Sequence, residues 1–204
     1  HAEGQVARDA VEAARAVSAR ALSVRPEFVT FTGSGTEANN IAILGTIEHH
    51  RQTGVQYEEM EVISTAIEHP SVSQTLAHVA SLGVIVHEAP VKESGMIDLQ
   101  ALRDVVNEKT VLITTHYINS EIGTIQPTRA IKKVLHELAP KAVLHIDAAQ
   151  APLWVNCQFD SVGADILTLD AGKCCGPKGV GLLVRGRGVE LVSSTFGGGQ
   201  EAGL

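Results

Sequence analysis

Apolar and polar positions along this chain follow two periods that alternate from segment to segment. Val6, Ala10, Ala13, Ala14, Val17 and Ala21 recur at helical spacing, with Glu3, Arg8, Asp9, Glu12, Arg15 and Arg20 mostly off that stripe. This pattern predicts an amphipathic helix. The run 27–32 is short and β-rich, and predicts a strand. Gly33-Ser34-Gly35 breaks it, and a second helix starts at Thr36. Strand-like runs follow at 61–65, 83–87, 110–115, 142–146, 165–169 and 179–184, with helical runs at 71–81, 98–107 and 128–138. Strands alternating with helices predict an α/β domain, a three-layer α/β/α arrangement around a mostly parallel mixed sheet. The last two strands are joined by a loop too short for a helical crossover, so one of them is expected to run antiparallel.

Composition narrows the class. The chain has 204 residues, enough for one large domain with a real core. It is 44% hydrophobic but only 3% aromatic, so Val, Ile, Leu and Ala must fill that core, as in a sheet covered on both faces. The net charge is −7 with no basic run, which gives nucleic acid no electrostatic footprint. No apolar stretch approaches the roughly 20 residues of a membrane span. Three cysteines, two of them adjacent, do not make a disulfide framework, and a reducing cytoplasm is the simple expectation. The chain has no initiator Met and stops in the glycine-rich run 197–204, which suggests a fragment cut at both ends.

In such sheets ligands bind beyond the carboxyl ends of the strands. The segments 33–36, 68–70, 119–123, 147–150 and 170–176 follow the first, second, fourth, fifth and sixth strand-like runs, and so converge on one edge. Asp147 ends an apolar run, and Lys173 lies in the loop after the next one. A lysine amine can form a Schiff base with the aldehyde of pyridoxal 5′-phosphate, while an aspartate keeps the pyridine nitrogen protonated and the ring an electron sink. Gly33-Ser34-Gly35-Thr36 opens a helix whose end suits a phosphate; the ordinary alternative is a turn capped by Thr36. His69 precedes Pro70, and could stack on a flat cofactor and move protons or simply cap the next helix. Asp147 is either a pyridinium partner or a cap, and Gln150 either a donor to the cofactor's phenolic oxygen or a surface amide. His145 and Asp147 alternate like metal ligands, but no third ligand is spaced to join them, so no metal is expected. Cys174 and Cys175 beside Lys173 could be nucleophiles, but small buried residues of a tight loop are the preferred reading.

Taken together, these residues resemble the NifS-like and IscS-like cysteine desulfurases of the class V aminotransferase superfamily. The resemblance is carried by the runs 31–40, Glu68-His69-Pro70-Ser71, 121–127, 145–150, Gly176-Pro177-Lys178-Gly179 and 197–201, and spans nearly the whole chain. It implies the large, pyridoxal-phosphate-binding domain of a fold type I enzyme over residues 1–204, with the small C-terminal domain absent. It implies Lys173 as the Schiff-base lysine, Asp147 on the pyridine nitrogen and Gln150 on the ring oxygen. It further implies that His69 stacks and shuttles protons, and that Gly35 and Thr36 hold phosphate.

The activity implied is removal of sulfur from L-cysteine to give alanine and an enzyme persulfide. A homodimer is implied, with a sulfur-acceptor protein that is an iron–sulfur scaffold or a tRNA-thiolation relay. The persulfide cysteine and the substrate-binding arginine would lie beyond Leu204. Selenocysteine lyase, another class V enzyme, or a non-catalytic scaffold of the same fold are the alternatives. The chain departs from the family pattern at three places: Asp170 stands for a phosphate-binding serine, Gly172 for a phosphate-binding histidine, and Ser120 for an asparagine, with Asn119 one place early. The implied outcome is that phosphate is still bound, held more by the helix end and a partner subunit.

Overall fold

The computed structural model describes residues 1–199, 201, 203 and 204. In chain order the elements are α1 (Ala2–Ala21), β1 (Val29–Thr32), α2 (Gly35–Gln52), β2 (Glu61–Ser64), α3 (Pro70–Ser81), β3 (Ile85–Glu88), α4 (Leu99–Val105), β4 (Thr110–His116), α5 (Thr128–Leu138), β5 (Val143–Asp147), α6 (Phe159–Val162), β6 (Ile166–Asp170) and β7 (Gly181–Arg185). Every expected strand and helix is present. The run expected at 98–107 forms a shorter helix, because Asp98 accepts from Gln100 N and Ala101 N as its cap while Asn107 turns the chain toward β4.

The seven strands form one sheet in the order β1-β7-β6-β5-β4-β2-β3. β2, β3, β4, β5 and β6 run parallel, and β7 is antiparallel to both β6 and β1. The expected antiparallel strand is therefore β7, inserted between β1 and β6. Because β1 and β6 both oppose β7, their carboxyl ends share an edge with those of the other parallel strands.

The two-residue period of the strands sorts the core into layers. Val62 and Leu112 pack with Ile43 and Ile47 of α2 and Val72, Leu76 and Val79 of α3, while Ile166 and Leu183 meet Ala38, Ile41 and Ala42 of α2. Ile63, Ile113, Ile146, Leu167 and Val184 face the other way, onto Leu102 of α4, Ile131 and Leu135 of α5 and Ala19 of α1. Helices thus cover both faces, as the near-continuous apolar strands require.

The apolar stripe of α1 has a different fate from the core helices. The helix forms, but of its residues only Arg15 and Ala19 are buried, and Val6 and Val17 stand 70% and 61% exposed. Arg15 is drawn in by polar bonds instead, to Val29 O at 2.8 Å and to Glu201 at 2.7 and 2.8 Å. No helix among the described residues is long and apolar enough to cross a membrane.

Candidate active site

Five loops meet at the carboxyl edge of the sheet and enclose a cavity of about 380 Å3. Gly35, Thr36, His69, Asn119, Ser120, Asp147, Gln150, Asp170 and Lys173 all line it. These are the nine residues singled out in the sequence. A wider, apolar groove of about 900 Å3 runs beside α1 and shares Asp170 but not Lys173, His69 or Asp147. Of these two, the polar cavity is the one that brings Lys173, His69 and Asp147 together.

Asp147 forms its floor. The side chain ends β5 on the face of the sheet covered by α2 and is 8% exposed. Its Oδ1 accepts from Ala149 N at 2.9 Å and its Oδ2 from Asn39 Nδ2 at 2.7 Å. No helix follows, so Asp147 caps a turn and not a helix. Burial pushes its carboxyl above the ordinary aspartate range, partly offset by those two bonds and by the His69 ring. A cationic partner would hold the carboxylate ionised, which is what a buried carboxylate lacks here.

Asn39 and Ser71 extend this floor to the rim. Asn39 Nδ2 also donates to Ser71 Oγ at 2.8 Å, and Ser71 Oγ lies 2.7 Å from His69 Nδ1. Ser71 N donates to the same His69 Nδ1 at 3.1 Å, so His69 is the cap of α3, with Pro70 at its first position. Capping occupies Nδ1 and leaves Nε2 outside this bond network. Neither Asn39 nor Ser71 was singled out from the sequence. A clue was available, since two adjacent asparagines inside a helical run are unfavourable unless their amides are used.

The wall behind the site is a second polar cluster. Glu68 accepts from Thr65 Oγ1, Thr115 Oγ1, His116 N and His116 Nδ1, at 2.6 to 2.9 Å. His116 Nε2 meets Gln126 Nε2 at 3.0 Å. Asn119 closes the wall: it donates to Ile67 O and accepts from Glu121 N and Ile122 N, so its amide ties the loops after β2 and β4 together. Ser120 and Gln150 line the cavity with freer side chains, exposed and half-buried respectively.

Lys173 closes a single tight turn, Ala171–Lys173, and is exposed. Gly176 N and Cys174 N both return to Ala171 O, and Ala171 N reaches Val180 O, so the loop is pinned at its base. Cys174, next to it, is not poised as a nucleophile. The Cys174 thiol donates to Asp170 O and is raised by burial and by the Asp170 charge. Cys175 is exposed, against the expectation of a buried residue, and its φ of 61° lies in the left-handed region. Cys157 is buried and pushed up to about 11. His145 is held between Thr114 Oγ1 and Thr168 Oγ1 at 2.8 and 3.0 Å, and its neighbours are hydroxyls and not metal ligands. No group of three or more His, Cys, Asp or Glu suited to a metal is assembled among the described residues.

The first residues of α2, Gly35 and Thr36, also line the cavity. The cap of this helix is Ser34, whose Oγ accepts from Glu37 N, and not Thr36, which lies exposed in the first turn. Within the expected run 197–201, Gln200 lies outside the described residues, while Glu201 bonds Arg15 and accepts from Phe31 N at 2.8 Å.

Comparison with known proteins gives a consistent result. The profile of the family described as aminotransferase class-V matches residues 1–202. The chain is 33% identical over 204 residues to a cysteine desulfurase, IscS 1, of Archaeoglobus fulgidus, covering 100% of this chain and 51% of that one. Among solved structures, a NifS-like protein superposes with a TM-score of 0.94 at 31% identity, covering 100% of this chain and 55% of the other. SspA, solved in complex with cysteine, gives a TM-score of 0.91 at 35% identity, with 100% and 57% coverage. The chain spans about half the length of the curated relatives it matches.

Proposed function

The chain belongs to the aminotransferase class-V family, and from that membership and the cavity we propose that residues 1–204 form the pyridoxal-phosphate-binding large domain of a cysteine desulfurase. The observation that carries this reading is the convergence of Lys173, His69 and the buried Asp147 on one cavity, in a chain whose relatives are named cysteine desulfurases. The substrate would be L-cysteine, and the products alanine and a protein-bound persulfide. SspA, a structural relative, was solved with cysteine, which supports the substrate class.

The residues present fit the ring end of such a cofactor. A buried carboxylate whose charge is uncompensated suits a pyridinium, and the rim offers an amine and an imidazole. When bound, pyridoxal 5′-phosphate supplies an electron sink that stabilises negative charge at the substrate's α carbon. Asp147 would keep the ring nitrogen protonated, and its bonds to Asn39 and Ala149 would fix its orientation. Lys173 Nζ would attach the cofactor. His69 would cover the ring and move protons through Nε2, its Nδ1 being held by Ser71. Gln150 and Ser120 line the cavity and would bond the ring oxygen, and Gly35 and Thr36, which line it too, would hold the phosphate.

The sulfur would leave on a cysteine thiolate supplied from the half of the family's length that this chain does not span, as would the arginine that binds the substrate carboxylate. Burial pushes the Cys157 thiol up to about 11 and raises that of Cys174 too, which favours a nucleophilic cysteine elsewhere. A homodimer is part of the proposal: Val6 and Val17 of α1, Trp154 and Phe196 are large apolar side chains that stand 61% to 92% exposed, and apolar surface of this kind is what partners cover. A cytoplasmic setting and a sulfur-accepting partner in iron–sulfur assembly or tRNA thiolation follow from the same reading.

The test is a visible spectrum of the complete protein with pyridoxal phosphate before and after L-cysteine, with alanine and sulfide assayed together. A lysine-bound cofactor band that shifts on cysteine, with alanine formed, is the expected outcome. A band with no alanine would move the assignment to another class V reaction, and faster turnover of selenocysteine would move it to the lyase. Lys173→Ala is expected to abolish the band while leaving the circular dichroism spectrum unchanged, since Lys173 is exposed and makes no core contact.

A further inference from the structure

The amino end of α2, which lines the same cavity, is already held by a carboxylate of this chain. Asp170 ends β6, and its Oδ2 accepts from Gly35 N, the first residue of the 18-residue α2, at 3.0 Å. Its Oδ1 accepts from Gly172 N at 2.8 Å. The approach is close: a Cβ on Gly35 would lie 3.1 Å from both Cβ and Oδ2 of Asp170. Two neighbouring donors are also taken, Glu37 N by Ser34 Oγ and Gly33 N by Glu37 Oε2. A helix amino end favours one anion, and here Asp170 is that anion with Glu37 beside it. An incoming phosphate dianion would meet like charge where the family places a neutral serine.

Resting on the cofactor reading above, we propose that Asp170 is a built-in occupant of the phosphate subsite. Its carboxylate caps α2 in the cofactor-free protein and has to leave Gly35 N before a phosphate can take that donor. Asp170 therefore sets the affinity for the phosphate of the cofactor, and makes that affinity weaker than the ring contacts alone would lead one to expect. The same contact ties the loop that carries Lys173 to α2. Cofactor-free protein thus keeps its lysine loop in place without an ion, and phosphate binding exchanges one anion for another at a fixed helix end.

Two ligands and two variants separate the terms. Dissociation constants for pyridoxal phosphate and for phosphate-free pyridoxal are measured from the visible band of the complete wild-type protein, Asp170→Ser and Asp170→Asn. Asn keeps an acceptor for Gly35 N without the charge, which guards against simple misfolding. Pyridoxal phosphate is expected to bind the Ser variant at least about tenfold more tightly than wild type, the worth of one charge-assisted contact, while pyridoxal changes by less than about threefold. In parallel, the unfolding temperature of each cofactor-free protein is recorded with and without inorganic phosphate. Phosphate is expected to raise it for both variants and to leave wild type unchanged.

Equal tightening of both ligands, unchanged or weaker binding of pyridoxal phosphate in both variants, or no stabilisation of the variants by phosphate would overturn the inference. Absence of any band in all three proteins would instead remove the cofactor reading. The phosphate arm still decides then: stabilisation confined to the variants supports an occupied helix end, and none overturns it.

Discussion

Asp147 and Asp170 end neighbouring parallel strands on the same edge of one sheet and line the same cavity, yet their surroundings give them opposite demands. Asp147 is buried under α2, and burial disfavours its charge; its contacts are one amide side chain and one backbone N–H. It lacks a cation. Asp170 is half-exposed and sits on the amino end of α2 with two backbone donors. It is itself the anion that the helix end attracts. The difference shows that residue type and topological position do not settle a role. The neighbours from α2 do, by withholding positive character from one carboxylate and presenting it to the other.

The largest test of this contrast is Asp147→Asn. Removing the ring-nitrogen partner is expected to lower desulfuration by at least about a hundredfold, the scale of one proton-managing group. The same change should raise the unfolding temperature of the cofactor-free protein at neutral pH. The sign follows from the raised carboxyl: stability from a group whose folded pKa lies above the unfolded 3.8 is complete below that value and lost as pH rises. The neutral amide escapes that loss. A variant that is both inactive and less stable at neutral pH would break the picture of an uncompensated charge.

The strand that carries Asp147 also brings an acid limit, set by His145. Burial holds its ring near a pKa of about 3 against an ordinary 6.5, so the unfolded chain takes a proton that the folded one refuses. Stability is therefore full above pH 6.5 and falls as pH drops toward 3, by a few kcal/mol at most. Thermal unfolding followed from pH 7 to pH 4 should show this slope, and His145→Gln, which can still meet Thr114 and Thr168, should flatten it. An unchanged slope would place the acid limit elsewhere. The smallest effect belongs to the rim. Ser120→Asn, which restores the family's amide, is expected to tighten cofactor binding by about fivefold or less, the value of one partly exposed hydrogen bond. A much larger gain would mean that the rim, and not the floor, dominates ring binding.

Much of this was legible along the chain. The strand runs had the right period and sat within about two residues of their observed ends, because apolar alternation and flanking glycines are local signals. The antiparallel strand followed from the length of one loop. The segments holding the candidate site residues could be named because each lies at or after a strand's end on the ligand-binding edge, while Asn119, Ser120 and Asp170 were picked out within them by the resemblance to the family. Asn39 and Ser71 escaped notice because they lie inside helices, where their use depends on what faces them. The stripe of α1 was readable as amphipathic, but nothing local says that Val6 and Val17 stay exposed in the chain's own fold.

The sequence by itself determined which segments are strands and helices, that the sheet is covered on both faces, and which loops carry the chemistry, since these depend on periodicity and on residue types near in sequence. Only the tertiary structure decided the strand order with β7 between β1 and β6, the chain of bonds from Asp147 through Asn39 and Ser71 to His69, and the seat of Asp170 on Gly35. Those contacts join residues as far as 135 positions apart. Hydrogen bonds and desolvation act over a few ångströms, so they are set by which elements the fold brings together.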